Sequence, residues 1–156
     1  MDQKRREIVF LGETAVGKTS IILSRIYGSI NLVHQQTTFN ETFDDPKSDN
    51  IFPSNMIITY KDTAGQEQYR SLAPIYVRNA SLALLVFDLS REETLDSIPS
   101  FIQLVNQSSN QNIKLLLVGN KFDLLTDYSI IDRATEIARN EGISIYAISA
   151  LDRISF

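Results

Sequence analysis

The sequence predicts an α/β fold: an open, mostly parallel sheet with helices on both faces. Short apolar runs rich in branched residues alternate with segments of helical period, and each run ends at a polar residue or a glycine. Runs of this kind are what strands covered on both faces require. The motifs with chemical content follow directly after the runs, which places a ligand site beyond the carboxyl ends of the strands.

Taken in order, Ile8-Val9-Phe10-Leu11 is the first strand. Lys18 to Ile26 spaces Ile22, Leu23 and Ile26 along one helical face. The stretch from Gly28 to Ser54 is irregular, with Asp45-Pro46, Lys47 to Asn50 and Pro53-Ser54 reading as turns around short extended pieces. A structureless stretch that long inside a compact domain points to a functional loop region. Asn55 to Tyr60 and Leu82 to Phe87 are the next strands. Ser90-Arg91-Glu92-Glu93 fits a capping box with Ser90 as N-cap, opening a helix over Thr94 to Val105 that aligns Ile98, Phe101, Ile102 and Val105. Pro99 within it predicts a kink or a restart. Lys114 to Val118 is a strand, and Ile130 to Arg139 is a helix aligning Ile131, Ala134, Ile137 and Ala138. Asn140-Glu141-Gly142 stops that helix, and Ser144 to Ile148 is the last strand.

The 156 residues, 43% apolar and 22% charged, predict one domain with its own core. No apolar run approaches the ~20 residues of a spanning helix. With no cysteine, a disulfide framework, a thiolate metal site, a thiol nucleophile and a prenyl or palmitoyl anchor on the chain as given are ruled out. Fifteen basic against nineteen acidic residues leave a net charge of -4, which gives no electrostatic drive toward nucleic acid. The charged start, Met1 to Glu7, does not resemble a secretory leader, so a cytoplasmic setting is expected.

Gly12-Glu13-Thr14-Ala15-Val16-Gly17-Lys18-Thr19 matches GxxxxGK[ST] between a strand and a helix. Glycines let successive N–H groups face an anion and the helix start adds partial positive charge. The Lys18 ammonium reaches terminal phosphates and the Thr19 hydroxyl ligates magnesium. Glu13, Thr14, Ala15, Val16 and Gly17 are therefore phosphate-binding candidates. Asp62-Thr63-Ala64-Gly65-Gln66-Glu67 follows the strand that ends at Tyr60. There a carboxylate can hold magnesium through water, the Gly65 N–H can meet a γ-phosphate, and Gln66 can orient an attacking water. Asn120-Lys121-Phe122-Asp123 follows the strand Lys114–Val118, where a carboxylate can accept guanine's N1–H and exocyclic amine, a donor pair that adenine lacks. Ser149-Ala150-Leu151 follows the last strand and can offer N–H groups to a purine oxygen.

These four motifs, in this order, resemble those of the Ras superfamily of small GTPases. Gln66 to Leu72 together with Ile75 to Ala80 is most similar to the Rab branch, and the resemblance runs from Ile8 to Leu151. It implies a P-loop NTPase G domain over residues 1–156, with a six-stranded, mostly parallel sheet. It implies a GTP/GDP switch in vesicle trafficking with Mg²⁺ and slow hydrolysis, and an effector, an exchange factor and an activating protein as partners. It also implies site roles: Gln66 and Lys18 catalytic; Thr19, Thr38 and Asp62 (through water) on the metal; Thr38 and Gly65 on phosphate; Asn120, Lys121, Asp123, Ser149, Ala150 and Leu151 on guanine. Thr38 keeps the family's threonine-to-phenylalanine spacing to Phe43, whereas Thr37 avoids an insertion after Thr19; both assignments stay open.

Four departures from the family pattern bear on function. Thr14 replaces a glycine near the γ-phosphate, and its branched side chain should crowd an incoming arginine or the attacking water. Ile30 replaces an aromatic that packs on guanine, Lys61 replaces a tryptophan of an effector-reading aromatic surface shared with Phe43 and Tyr76, and the chain reaches Phe156 where the family starts its last helix. The expected domain thus lacks that helix within this chain, leaving a missing C-terminal segment or a second domain to pack on the sheet. Membrane association would then run through such a tail or through partners. No arginine of the phosphate loop is placed to act as a finger in cis. His34, Lys4-Arg5-Arg6 and Tyr69 read as solvated or packing residues. Two other functions compete: a nucleotide-loaded scaffold with little turnover, and a P-loop metabolic kinase. The kinase would need an arginine-bearing lid and an acceptor pocket.

Overall fold

The computed structural model describes residues 4–27, 41–45, 56–63, 73–108, 113–150 and 154–155. The strands are β1 (Lys4–Leu11), β2 (Glu41–Asp44), β3 (Met56–Asp62), β4 (Leu82–Asp88), β5 (Lys114–Asn120), β6 (Ser144–Ser149) and β7 (Ile154–Ser155). They form one sheet in the order β2-β3-β1-β4-β5-β6-β7. β1 lies parallel to both β3 and β4, with Ile8 level with Tyr60 on one side and Leu82 on the other. β5 and β6 continue the parallel array. β2 joins antiparallel at one edge, and the two-residue β7 pairs antiparallel with β6 at the other. The six expected strands are present, with β7 as an addition.

The helices are α1 (Lys18–Tyr27), α2 (Ala73–Val77), α3 (Glu92–Asp96), α4 (Ile98–Ser108) and α5 (Ser129–Glu141). Alternate side chains of the central strands feed two cores. Val9, Leu11, Leu85 and Phe87 pack with Phe101, Ile102 and Val105 of α4 and with Ala134 and Ala138 of α5. Phe10, Val86, Val118 and Tyr60 pack with Ile22 of α1 and with Val16 just before it. Burial on both faces explains why these strands read as unbroken apolar runs.

Three local expectations are corrected. Ser90 does not cap a helix: Arg91 occupies the N-cap position without a side-chain cap bond, and the Ser90 N–H and hydroxyl both donate to Asp88 Oδ1, at 2.8 and 2.6 Å. A nearby buried carboxylate outcompetes the helix start for the serine. The single helix expected over Thr94 to Val105 is two, parted at Ser97. Pro99, at the second position of α4, has no N–H to give back to α3, so the chain restarts there. The strand expected to end at Tyr60 runs on through Asp62, whose main chain pairs with Phe10 of β1 and Glu41 of β2. The stop at Gly142 holds, with φ +67 and its N–H returned to the carbonyls of Ala138 and Arg139.

Behind α1, the Asp45 side chain is fully buried and accepts from Tyr60 Oη at 2.6 Å and from Arg25 Nε at 2.9 Å. This fastens the end of β2 to β3 and α1. Burial first, and then the hydrogen bond to Asp45, push the Tyr60 hydroxyl up to about 12.

Candidate functional site

The carboxyl ends of β1, β3, β4, β5 and β6 converge on the loop Gly12–Gly17, which leaves β1 and enters α1 at Lys18. Gly12 has φ +152, and a Cβ there would lie 2.2 Å from the Val86 carbonyl oxygen of β4. Gly17 has φ +99, and its Cβ would lie 2.2 Å from Asn120 Nδ2. The glycines are thus required by the close approach of neighbouring strand ends as well as by backbone angle. Val16 between them is fully buried and pins the loop to the α1-side core. Asn120, also buried, donates from Nδ2 to the Val16 carbonyl at 2.9 Å and accepts the Ala150 N–H on Oδ1 at 3.1 Å. One amide side chain therefore joins the loop to the end of β6.

Lys18 is 5% exposed, and its ammonium donates to the carbonyls of Gly12 and Glu13, both at 2.9 Å. Burial lowers its pKa to about 8, against the upward pull of Asp62 and Glu13. Thr19 Oγ1 donates to Asp62 Oδ2, and Thr63 Oγ1 to the Phe10 carbonyl. A hydroxyl and a carboxylate, both hard oxygen donors, thus meet beside a buried ammonium. Among the described residues, no group of three or more His, Cys, Asp or Glu is placed to hold a metal ion by itself. A cation here would need ligands from a bound molecule as well.

Asp88, the last residue of β4 and 1% exposed, is a residue of this candidate site that the motif reading missed. Its Oδ1 takes the two Ser90 hydrogen bonds, and its Oδ2 lies 2.9 Å from Lys121 Nζ and 3.1 Å from Arg91 Nε. Burial pushes the Asp88 carboxyl up, yet the bonds from Ser90, Lys121 and Arg91 hold it below the usual carboxylate range. Each cation then reaches the phosphate loop: Arg91 Nη2 donates to the Thr14 carbonyl at 3.0 Å, and Lys121 Nζ to the Ala15 carbonyl at 2.7 Å. Ala15 (φ +63) and Lys121 (φ +64) are the non-glycine residues with left-handed backbone among those described, and they are the two ends of this last bond. The signal for Asp88 was available: an acidic residue closing an apolar strand, as at Asp62.

Asp123, exposed in the turn after β5, accepts from Ser149 Oγ at 2.8 Å, which fixes its carboxylate against the end of β6. Of the candidates, Glu13, Thr14, Ala15, Val16, Gly17, Lys18, Thr19, Asp62, Asn120, Lys121, Asp123, Ser149 and Ala150 all lie at this end of the sheet. Thr37, Thr38, Gly65, Gln66 and Leu151 lie outside the described residues, as do Ile30, His34 and Tyr69. Two placements refine the expected roles. The Lys121 ammonium is engaged with Asp88 and the loop, and the Ala150 N–H with Asn120. On β3, Lys61 Nζ lies 2.8 Å from Glu7 Oε2 and 5.1 Å from the ring centre of Tyr76, so an ion pair with a cation–π contact stands in the expected tryptophan's place. Tyr76 itself packs against the α4-side core.

No helix among the described residues is long and apolar enough to cross a membrane. The Ras family profile matches residues 7–156. The Ras-related protein Rab-21 of Geodia cydonium is 34% identical over 147 residues, covering 94% of this chain and 63% of the relative. Rab11A of Lotus japonicus is 31% identical over 154 residues, covering 94% and 64%. The GTP-binding protein ypt5 of Schizosaccharomyces pombe is 32% identical over 129 residues, covering 83% and 61%. The chain thus spans a little under two-thirds of the length of the curated relatives it matches. With the sheet order, the glycine loop and these relatives in agreement, the chain belongs to the Ras family, in its Rab branch.

Proposed function

We propose that residues 1–156 act as one guanine-nucleotide-binding domain that holds GTP or GDP with Mg²⁺ and slowly hydrolyses GTP. One observation carries this reading. The phosphate loop and the Asn120-Lys121 segment are a single hydrogen-bonded unit, Asn120 gripping the Val16 carbonyl and Lys121 the Ala15 carbonyl. The part that meets phosphate is therefore in register with the part that meets the base. Asp123, exposed and oriented by Ser149, is the acceptor for guanine's paired donors. Lys18 carries its charge to the phosphates from a buried position, where an ammonium is worth more than in water.

Thr19 and Asp62 fit Mg²⁺, which favours oxygen ligands and takes one or two carboxylates plus substrate phosphates. When bound, the ion offsets the charge of the β- and γ-phosphates. Thr38, or Thr37 in its stead, completes the ligand set, the Gly65 N–H meets the γ-phosphate, and Gln66 orients the attacking water. Glu13 to Gly17 supply backbone N–H groups, and Ser149 to Leu151 complete the purine edge. Rab-branch membership supports a switch in vesicle trafficking, with an effector, an exchange factor and an activating protein as partners. It also supports a cytoplasmic chain that reaches membranes through a tail or those partners.

The base assignment is tested by nucleotide affinity. Asp123→Asn should weaken GTP binding and improve binding of xanthosine triphosphate, which presents an acceptor where guanine has its amine. Equal affinity of the parent for ATP and GTP would overturn the guanine reading. Turnover is tested by single-turnover hydrolysis. Gln66→Leu should slow it at least tenfold, a loss of ~1.4 kcal/mol of transition-state stabilisation. An unchanged rate would favour the scaffold reading.

A further inference from the structure

We propose that Arg91 is a positioning residue for nucleotide retention, a brace from outside the phosphate loop that sets the direction of the loop's N–H groups. The inference rests on the nucleotide reading above and assigns a role to a residue outside the four nucleotide motifs. Arg91 stands at the N-cap of α3, and its guanidinium spans two acceptors, Asp88 Oδ2 at 3.1 Å through Nε and the Thr14 carbonyl at 3.0 Å through Nη2. Lys121 repeats the arrangement one residue further on, from the same Asp88 oxygen to the Ala15 carbonyl. One buried carboxylate therefore anchors two cations that hold two consecutive carbonyls of the loop.

The consequence follows from peptide geometry. In a trans peptide the C=O and the following N–H point in opposite directions. A Thr14 carbonyl drawn toward Arg91 sends the Ala15 N–H the other way, and an Ala15 carbonyl drawn toward Lys121 does the same for the Val16 N–H. Two successive N–H groups turned to one side form an anion-binding nest. The residue between the two gripped carbonyls is Ala15, which carries left-handed backbone without being glycine. That conformation is costly for an L-residue, and such strain persists only where the surroundings over-determine it. Arg91 and Lys121 are those surroundings. Lysine is a poor substitute for Arg91, because a point ammonium lacks the planar fork that meets both acceptors at once.

Arg91→Ala and Arg91→Lys are compared with the parent and with Arg139→Ala, a change at an exposed residue in the last turn of α5, just before the chain enters β6. Dissociation of a fluorescent GDP analogue into excess GDP, the ³¹P spectrum of bound GDP and the melting of nucleotide-free protein are measured on each. Arg91→Ala should speed dissociation about tenfold, the scale of one charge-assisted hydrogen bond. The β-phosphate resonance should move in that variant, Arg91→Lys should fall between it and the parent, and Arg139→Ala should match the parent. A parent that binds no GDP overturns the nucleotide reading itself. If the parent binds GDP, unchanged dissociation in Arg91→Ala overturns the brace alone. So does faster dissociation with an unmoved ³¹P resonance and a lowered melting temperature of nucleotide-free protein, because that pattern marks a stability role only.

Discussion

Lys18 offers a prediction in which sign and size both come from its surroundings. Its ammonium is buried, and its pKa falls from 10.5 to about 8. Bound phosphates favour the charged form, so the nucleotide complex holds this proton more tightly than the free protein does. Below pH 8 the lysine is charged in both states and affinity is flat with pH. Above pH 8 the free protein must take up a proton to bind, and affinity falls by up to tenfold per unit. Between pH 7 and pH 9 the loss is about tenfold, or ~1.4 kcal/mol. GDP affinity measured calorimetrically across this range, in buffers of different ionisation enthalpy, should show that fall with proton uptake above pH 8. Lys18→Ala should bind weakly, with a flat profile. A flat parent would refute the buried-lysine argument, and a slope that persists in Lys18→Ala would assign it to another group. The linkage reverses for folding of the nucleotide-free protein. The unfolded lysine keeps its proton up to 10.5 and the folded one does not, so this group adds stability as pH rises from about 8 to 10.5.

Tyr60→Phe removes the hydroxyl that donates to buried Asp45, and should cost ~1.5–3 kcal/mol in urea unfolding; a change below ~0.5 kcal/mol would deny the bond its role. Tyr60, pushed up to about 12, should show phenolate absorbance well above its ordinary range of about 10, and its contribution to stability should be full below pH 10 and lost between pH 10 and 12. Gly142→Ala and Gly12→Ala separate strain from collision. Both positions have positive φ, but a Cβ at Gly142 meets nothing within 4 Å whereas one at Gly12 meets a backbone carbonyl at 2.2 Å. The first should cost ~1–2 kcal/mol by denaturant titration, and the second should cost clearly more and loosen nucleotide as well. Equal costs would show that the loop yields.

How much of this was legible in the sequence depends on whether a feature has a residue identity. Lys18, Thr19, Asp62, Asn120 and Asp123 act through side chains of fixed chemistry at strand ends, and the alternation of apolar runs with helical segments located those ends. The mostly parallel sheet and its two-sided core followed from the same pattern, since Val9 and Leu11 serve one face while Phe10 serves the other, whereas the strand order is visible only in the fold. The break at Ser97 was visible as Pro99, but the fate of Ser90 was not. Its capping pattern and the competing acceptor, Asp88 two residues earlier at the end of β4, are both local signals, and what decides between them is the burial of that carboxylate in the fold.

Arg91 and Lys121 were illegible in their actual roles for a related reason. Both act on the carbonyls of Thr14 and Ala15, and a carbonyl belongs to every residue, so no motif at positions 14 and 15 can announce that it is held. The same argument bears on Thr14, which read as a side chain that crowds the γ-phosphate. Its backbone already serves as an acceptor for a cation from α3, and any residue there offers that acceptor equally. Loss of the family's glycine at position 14 therefore leaves the brace intact. If the Thr14 side chain does hinder the attacking water, Thr14→Gly should raise single-turnover hydrolysis while GDP dissociation stays at the parent's rate, because Arg91 still holds the carbonyl. Faster GDP dissociation in Thr14→Gly would mean that the side chain, and not the brace, keeps this part of the loop in place, and the separation of the two roles would fail.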